Sequence, residues 1–486
     1  PAQWPETWSY TLSAALDAGL PIVASRIGAF PERLEGRPLT WLVDPGATTA
    51  TWRAVFEEAR AALRGRAPVG RAMRAAVNDF YGSAYLTTTP PPSPLPQGEG
   101  ARGRGAAASA RLRVIAIPER FDTGVPTPCA YIRLLQPLHH LAADLDVTVA
   151  YPGDALTMTA DIVLTHRHAI PDVAAAEALA AHCRAAGMKL VYDLDDDLAR
   201  IPPDHADAAL LRPKAALVRR LLGDADAVWV STAALGSLRA DALVIPNGID
   251  ERLWLPDGDA LPERQPGPVR LLFMGTTTHG EDFALVRAAL TRLHAEFGRR
   301  VRFDMIGVTP EDDLPAWVNR SLPEGAEGQS YPGFVNWITR MPAFDIGIAP
   351  LADTAFNRGK SSIKTLDYAA LGLTVLASDV PAYRGSPAGR LVANTDADWT
   401  DALMHLIRHP TRRRAMAQAA RAALIESGTL AAQAASRLAA WREVAKTPPK
   451  PAPPRPPTAS AARPAAATRR PGAPSRLPPA PGDRGA

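Results

Sequence analysis

DIGIAPLADTAFNRGKSSIKTLDYAALGLTVLAS, residues 345–378, is the stretch on which the reading of the chain turns. It begins as a short apolar run, crosses a polar loop, becomes helix-patterned from about Ser362 to Leu371, and ends in a second apolar run, LTVLAS, at 373–378. Strand, helix, strand is the unit of a parallel sheet with helices on both faces. The same alternation extends in both directions. Upstream lie VRLLFMG (269–275), a helix at 281–296, VRFDMIG (301–307) and FDIGIAPL (344–351); downstream come GRLV (389–392) and helices near 398–425 and 429–445. An earlier series runs through RLRVIAI (111–117), DVTVAY (146–151), DIVLTH (161–166), KLVYDL (189–194), AVWVS (227–231) and ALVIPNG (242–248), with helices between. The expectation is an α/β protein of two doubly wound, Rossmann-like domains facing a cleft.

Within GKSSIKTLD, Ser361 or Ser362 is placed to cap the helix, and free amides at a helix start suit a phosphate. Lys360 and Lys364 are four apart and share a side of the first turns, with Asp367 three further along. Two cations beside the amides would meet a diphosphate, and a carboxylate can accept from both hydroxyls of a ribose. The same spacing also describes an ordinary capped helix with a surface Lys/Asp pair.

Composition narrows the function. Lys and Arg number 54 against 50 Asp and Glu, a net charge of +4. Eight of the basic residues lie in 446–486 against the single acid Asp483, so the remainder is slightly acidic. A basic face for nucleic acid is therefore not expected. Cys129 and Cys183 make neither a disulfide framework nor a metal-ligand spacing, which fits a reducing cytoplasm. No apolar run reaches the roughly 18 residues needed to span a bilayer, so membrane contact would be peripheral, at the inner face of the cytoplasmic membrane.

Residues 86–110 and 446–486 are rich in Pro, Gly and Ala with almost no large apolar side chains, and read as a disordered linker and tail. Residues 1–85 repeat part of the later domain. Aligning Gly19 with Gly372 also pairs Leu20 with Leu373, Ala24-Ser25 with Ala377-Ser378, and Phe30 with Tyr383. The expected plan is thus a partial donor-side domain (1–85), linker (86–110), acceptor-side domain (111–247), nucleotide-binding domain (248–445) and tail (446–486). The opening segment, starting at Pro1 inside a domain pattern, reads as the end of a preceding module.

The run 345–383 resembles the donor-binding core of family 4 glycosyltransferases, retaining enzymes of the two-domain GT-B fold. In that family two glutamates eight apart flank a phosphate-binding helix start, and Gly-hydrophobic-Pro follows the helix. Here Asp367 matches the second glutamate, Gly359 the first, and Thr374 the proline. The segment PETWSYTLSAALDAGLPIVAS at 5–25 is similar too, keeping Glu6 and Gly19-Leu20-Pro21 but having Ala14 at the second acidic position. LLFMGTTTHGEDF (271–283) resembles the first strand and loop of the nucleotide-binding domain, where many members carry an Arg and a Lys; Thr276 and Glu281 stand there instead. IPNGID (245–250) resembles the connection between the two domains, and PTPCAYIRLLQPL (126–138) the acceptor-side loop and helix.

The resemblance implies sugar transfer from a nucleotide-sugar donor to a hydroxyl of a glycan or lipid-linked acceptor, with retention, in synthesis of bacterial surface polysaccharide. No metal or other cofactor is implied. Lys360, Lys364 and His279 would carry the charge chemistry, with Arg358 a further source of positive charge. Gly275, Thr276, Asn357, Ser361, Ser362 and Asp367 would bind the donor, and Tyr131 and Arg133 would face the acceptor. YDLDDDL (192–198) invites comparison with a DxD metal site, but its place after a strand favours cleft-lining or helix-capping carboxylates. His166 and His168, an HxH without a third ligand nearby, read as loop residues. Two rivals stand beside transfer: a degenerate binding or scaffold module, and a nucleotide-sugar epimerase-like enzyme.

Overall fold

A computed structural model describes residues 21–27, 30–63, 111–264, 266–309, 314–323, 328 and 330–447. The linker 86–110, almost all of the tail, and Glu6, Ala14 and Gly19 lie outside them. In the amino-terminal piece β1 (Ile22–Ser25) pairs in parallel with β2 (Thr40–Val43), and α1 (Thr49–Leu63) follows.

The first large sheet contains β3 (Leu112–Ile117), β4 (Leu145–Val149), β5 (Ile162–His166), β6 (Lys189–Leu194), β7 (Ala227–Val230) and β8 (Leu243–Val244). Its strands are all parallel in the order β4-β3-β5-β6-β7-β8. Helices α2 (Val173–Ala186) and α3 (Ala215–Asp224) cover one face. Every residue of β5 and β6 is buried, as strands covered on both faces must be, and their centres are accordingly apolar, with the polar Thr165, His166, Lys189 and Asp193 at or near the strand ends.

The second sheet is built from β9 (Val269–Gly275), β10 (Val301–Gly307), β11 (Val318–Arg320), β12 (Ile346–Ala349), β13 (Thr374–Ser378) and β14 (Arg390–Val392). Its order is β11-β10-β9-β12-β13-β14, again all parallel. Helices α4 (Gly280–Phe297), α5 (Tyr331–Arg340), α6 (Ile363–Ala370), α7 (Asp396–Arg408) and α8 (Pro410–Ala423) complete it, and α9 (Leu430–Lys446) follows. The β13–β14 pair repeats the parallel β1–β2 pair, with Ser378 opposite Val392 as Ser25 is opposite Val43.

Of the elements named above, β11 and α5 are not among those expected from the sequence. The latter hides behind a Pro-Gly pair in its first turn, yet Ser330 caps it, its hydroxyl accepting from Gly333 N at 3.2 Å. The 248–445 boundary also needs qualifying. Helix α9 follows the second domain in sequence but packs on the first: Trp441 meets Trp229 edge-on with ring centroids 4.7 Å apart, beside Leu138, Leu164 and Ile245. In each sheet the order reverses beside its first strand, between β3 and β5 and between β9 and β12. Loops leaving the carboxyl ends at such a point diverge and leave a crevice, and the candidate residues gather there.

Candidate functional site

Gly275 ends β9, and the chain turns at once into α4. A Cβ on Gly275 would lie 2.6 Å from His279 Cδ2 and 3.2 Å from Lys364 Nζ, so glycine is what lets these two side chains converge over the strand end. His279 sits at the start of α4, its Nδ1 donating to Asp282 Oδ2 at 2.6 Å. The other carboxylate oxygen of Asp282 accepts from Ala352 N at 2.7 Å, tying α4 to the loop after β12. Burial, then the charge of Lys364, push the His279 imidazole down to about 4. That environment favours the neutral imidazole, which makes Lys364 and Lys360, rather than His279, the groups placed to supply positive charge.

Lys364 Nζ and Asp367 Oδ1 are buried atoms without a hydrogen-bond partner among the described residues. Lys364 Nζ stands 4.9 Å from the centre of the Phe273 ring. Burial lowers its ammonium to about 8 and raises the Asp367 carboxyl to about 8. An ammonium and a carboxyl group so poorly solvated on one helix face are unfavourable for stability, and such groups concentrate at ligand sites. Helix α6 is pressed onto the sheet by Tyr368, whose hydroxyl donates to Ile348 O and accepts from Met274 N, each at 3.0 Å.

Ser362 occupies the cap position of α6, but its side chain makes no capping hydrogen bond. Ser361 instead turns toward the connection between the domains, its hydroxyl oxygen accepting from Asn247 Nδ2 at 2.7 Å. Lys360 reaches into the first domain, 3.8 Å from Asp196 Oδ1, with its Nζ 5.2 Å from the centre of the Phe356 ring. Phe356 itself is buried in the first domain's core, edge-on to His205 at 4.7 Å, and Thr232 Oγ1 donates to Gly359 O at 2.9 Å. The loop read as a phosphate cradle is therefore also a contact between the domains. Asn357 folds back onto its own loop, donating to Ala352 O at 2.9 Å, and Arg358 pairs with Asp353. Thr276 is exposed, its hydroxyl 2.9 Å from that of Thr278.

Tyr131 and Arg133 do not present themselves to an acceptor; both are 4% exposed. They lie on a π-helical turn, Tyr131–Leu135. Arg133 forms a two-pronged pair with Asp193, at 2.9 and 2.6 Å, and donates to Ile245 O and Asn247 Oδ1. Tyr131 stacks on Tyr331 of the second domain with centroids 6.1 Å apart. An arginine so enclosed is a strut, since withdrawing it would leave Asp193 buried and unpaired.

The acidic run caps no helix: Asp193 pairs with Arg133, Asp195 and Asp196 with Arg167, and Asp197 with Arg200. Arg167 holds φ 46°, a left-handed conformation costly for a side chain, directly after β5. His166 is the last residue of β5 and fully buried rather than in a loop. Among the described residues no group of three or more His, Cys, Asp or Glu is placed to hold a metal ion.

Residues 268–409, β9 through α7, match the family described as glycosyl transferases group 1. The second domain is similar to that family. No curated protein matches the chain. Among solved structures, TarM is 11% identical with a TM-score of 0.43, over 59% of this chain and 55% of TarM. Anabaena HepE, solved with UDP and glucose, is 14% identical with a TM-score of 0.46, over 68% of this chain and 100% of HepE. Sucrose-phosphate synthase from Thermosynechococcus elongatus is 11% identical with a TM-score of 0.48, over 69% and 99%.

The matched segment contains the whole cluster of Gly275, His279, Asp282, Lys364 and Asp367, but not Asn247. Asp282 and Asn247 were missed as site residues. His279 and Asp282 carry a legible signal, three residues apart at a helix start. Asn247 had none beyond its place in IPNG, because its partners lie 114 residues away in each direction along the chain.

Proposed function

We propose that the protein is a glycosyltransferase that takes a sugar from a nucleotide-sugar donor and transfers it to a hydroxyl of a glycan or lipid-linked acceptor with retention. The observation that carries the reading is the pair of unpartnered buried groups, Lys364 Nζ and Asp367 Oδ1, at the strand-order reversal of a domain similar to group 1 glycosyl transferases. Lys364, Lys360 and the amides at the start of α6 would stabilise the departing diphosphate, while Asp367 would accept from the ribose hydroxyls. A departing diphosphate develops charge on oxygen, which preorganised cations and amides can stabilise without a protein nucleophile. Attack would come from the face the leaving group departs. No metal enters this scheme.

A second reading, a binding module without turnover, is favoured by one feature. A Cβ at Gly359, where the family's first glutamate would stand, would lie 3.0 Å from Leu235 Cδ2, so the packed loop has little room for an acidic side chain. Thermal shift with UDP, GDP, ADP and CDP, followed by product analysis with the matching nucleotide-sugar and mixed glycan acceptors, tests both. Stabilisation by one nucleotide and a new glycosidic product are expected. Stabilisation without product would leave the binding module, and no stabilisation by any of the four would sink the donor site.

A further inference from the structure

We infer that Asn247 is a positioning residue that sets the polarity of the Ser361 hydroxyl, so that this hydroxyl donates its proton to a donor phosphate; the inference rests on the nucleotide-sugar reading above. Arg133 Nη1 can only donate, and it meets Asn247 Oδ1 at 2.8 Å, so the amide is oriented with Nδ2 on its other side. Nδ2 likewise can only donate, and it meets Ser361 Oγ at 2.7 Å. The serine oxygen is thereby an acceptor in that bond, and its own proton points elsewhere. Among the described residues the Ser361 hydroxyl donates to no protein group.

The chain of bonds has a rigid end. Arg133 is clamped by both oxygens of Asp193 and by Ile245 O. The Asn247 carbonyl accepts from Gln433 Nε2 at 3.2 Å, and Asn247 is 9% exposed. Ser361 is half-buried, at the start of α6, between Lys360 and the turn carrying Lys364. An exposed serine hydroxyl rotates and donates or accepts as its surroundings demand. Here the first domain imposes one direction on it through three side chains, which is useful only toward an acceptor such as a phosphate oxygen.

Asn247→Asp separates this role from simple packing. The carboxylate keeps the shape and the bond to Arg133 but can only accept from Ser361, so the serine hydroxyl is turned to donate to it instead of to a phosphate. The measurements are titrations of UDP, GDP, ADP and CDP into wild type, N247D, S361A and the double variant, with donor KM and kcat where turnover is found. The expected result is about a tenfold weaker Kd for the nucleotide that binds wild type, equal in N247D and S361A, with no further loss in the double variant and with Ser361→Thr restoring affinity. Donor KM should rise with kcat less affected. Wild-type affinity in N247D or in S361A, or losses that multiply in the double variant, would overturn the inference while leaving the donor site intact. Should N247D fail to fold, Asn247→Ala, which removes the donor to Ser361 Oγ, takes its place in the same cycle with S361A: a loss shared with S361A is expected, and wild-type affinity in N247A overturns the inference. If none of the four nucleotides binds wild type, the donor reading falls first and this inference with it.

Discussion

Asp367 and Lys364 carry most of the chemistry proposed for this chain, and burial moves the titration of both well away from its value in solution. Burial raises the Asp367 carboxyl to about 8, so in the folded chain it keeps a proton that the unfolded chain releases near 4. Stability from that proton is present at low pH and is lost as pH rises toward 8. Asp367→Asn removes the titration while keeping the shape. At pH 8 the variant should be more stable than wild type by about 1–3 kcal/mol in urea unfolding, with the gap closing toward pH 5. Its affinity for a nucleoside diphosphate should fall at the same time, a loss of function accompanying a gain of stability. A variant no more stable than wild type at pH 8 would show that the carboxyl is solvated after all.

At the scale of elements, the site depends on how closely α6 lies against β12. Gly347 makes this possible: a Cβ there would come 2.5 Å from Tyr368 Cγ, a ring held at its far end by Met274 N and Ile348 O. Gly347→Ala should destabilise by about 1–3 kcal/mol through overpacking, read as a lower urea midpoint, and should weaken nucleotide binding by shifting Lys364 and Asp367 together. An unchanged midpoint would mean that α6 is free to lift off the sheet. The helix itself was legible in sequence, expected at 362–371 and found at Ile363–Ala370, because its apolar face is written in local periodicity. The cap was not legible: spacing cannot tell that Ser361 turns to Asn247 and leaves Ser362 without a side-chain capping bond.

For the molecule as a whole, the two sheets are joined by more than the connection near 245–250. Phe356 enters the first domain's core, Lys360 faces Asp196, and α9 returns to pack Trp441 against Trp229. Trp441 is 3% exposed, and Trp441→Ala should cost about 3–5 kcal/mol. Unfolding of the first sheet, followed by near-ultraviolet circular dichroism, should move to lower urea; if it does not, the return of α9 contributes little to that domain. Lys360 was expected beside the diphosphate and stands between the site and the opposite domain, so one cation can serve both.

The alternation of short apolar runs with helical patterns determined the α/β class, the parallel sheets and the order of elements, since burial on both faces of a strand is written in consecutive residues. The same local patterns located the loop and helix at 356–371. Tertiary structure alone decided what the charged side chains do there. Arg133 is a strut through Asp193, 60 residues away, and Ser361 takes its direction from Asn247, 114 residues away. Hydrophobic periodicity is a property of neighbours along the chain, whereas the fate of a buried charge depends on which distant partner the fold brings within about 3 Å of it.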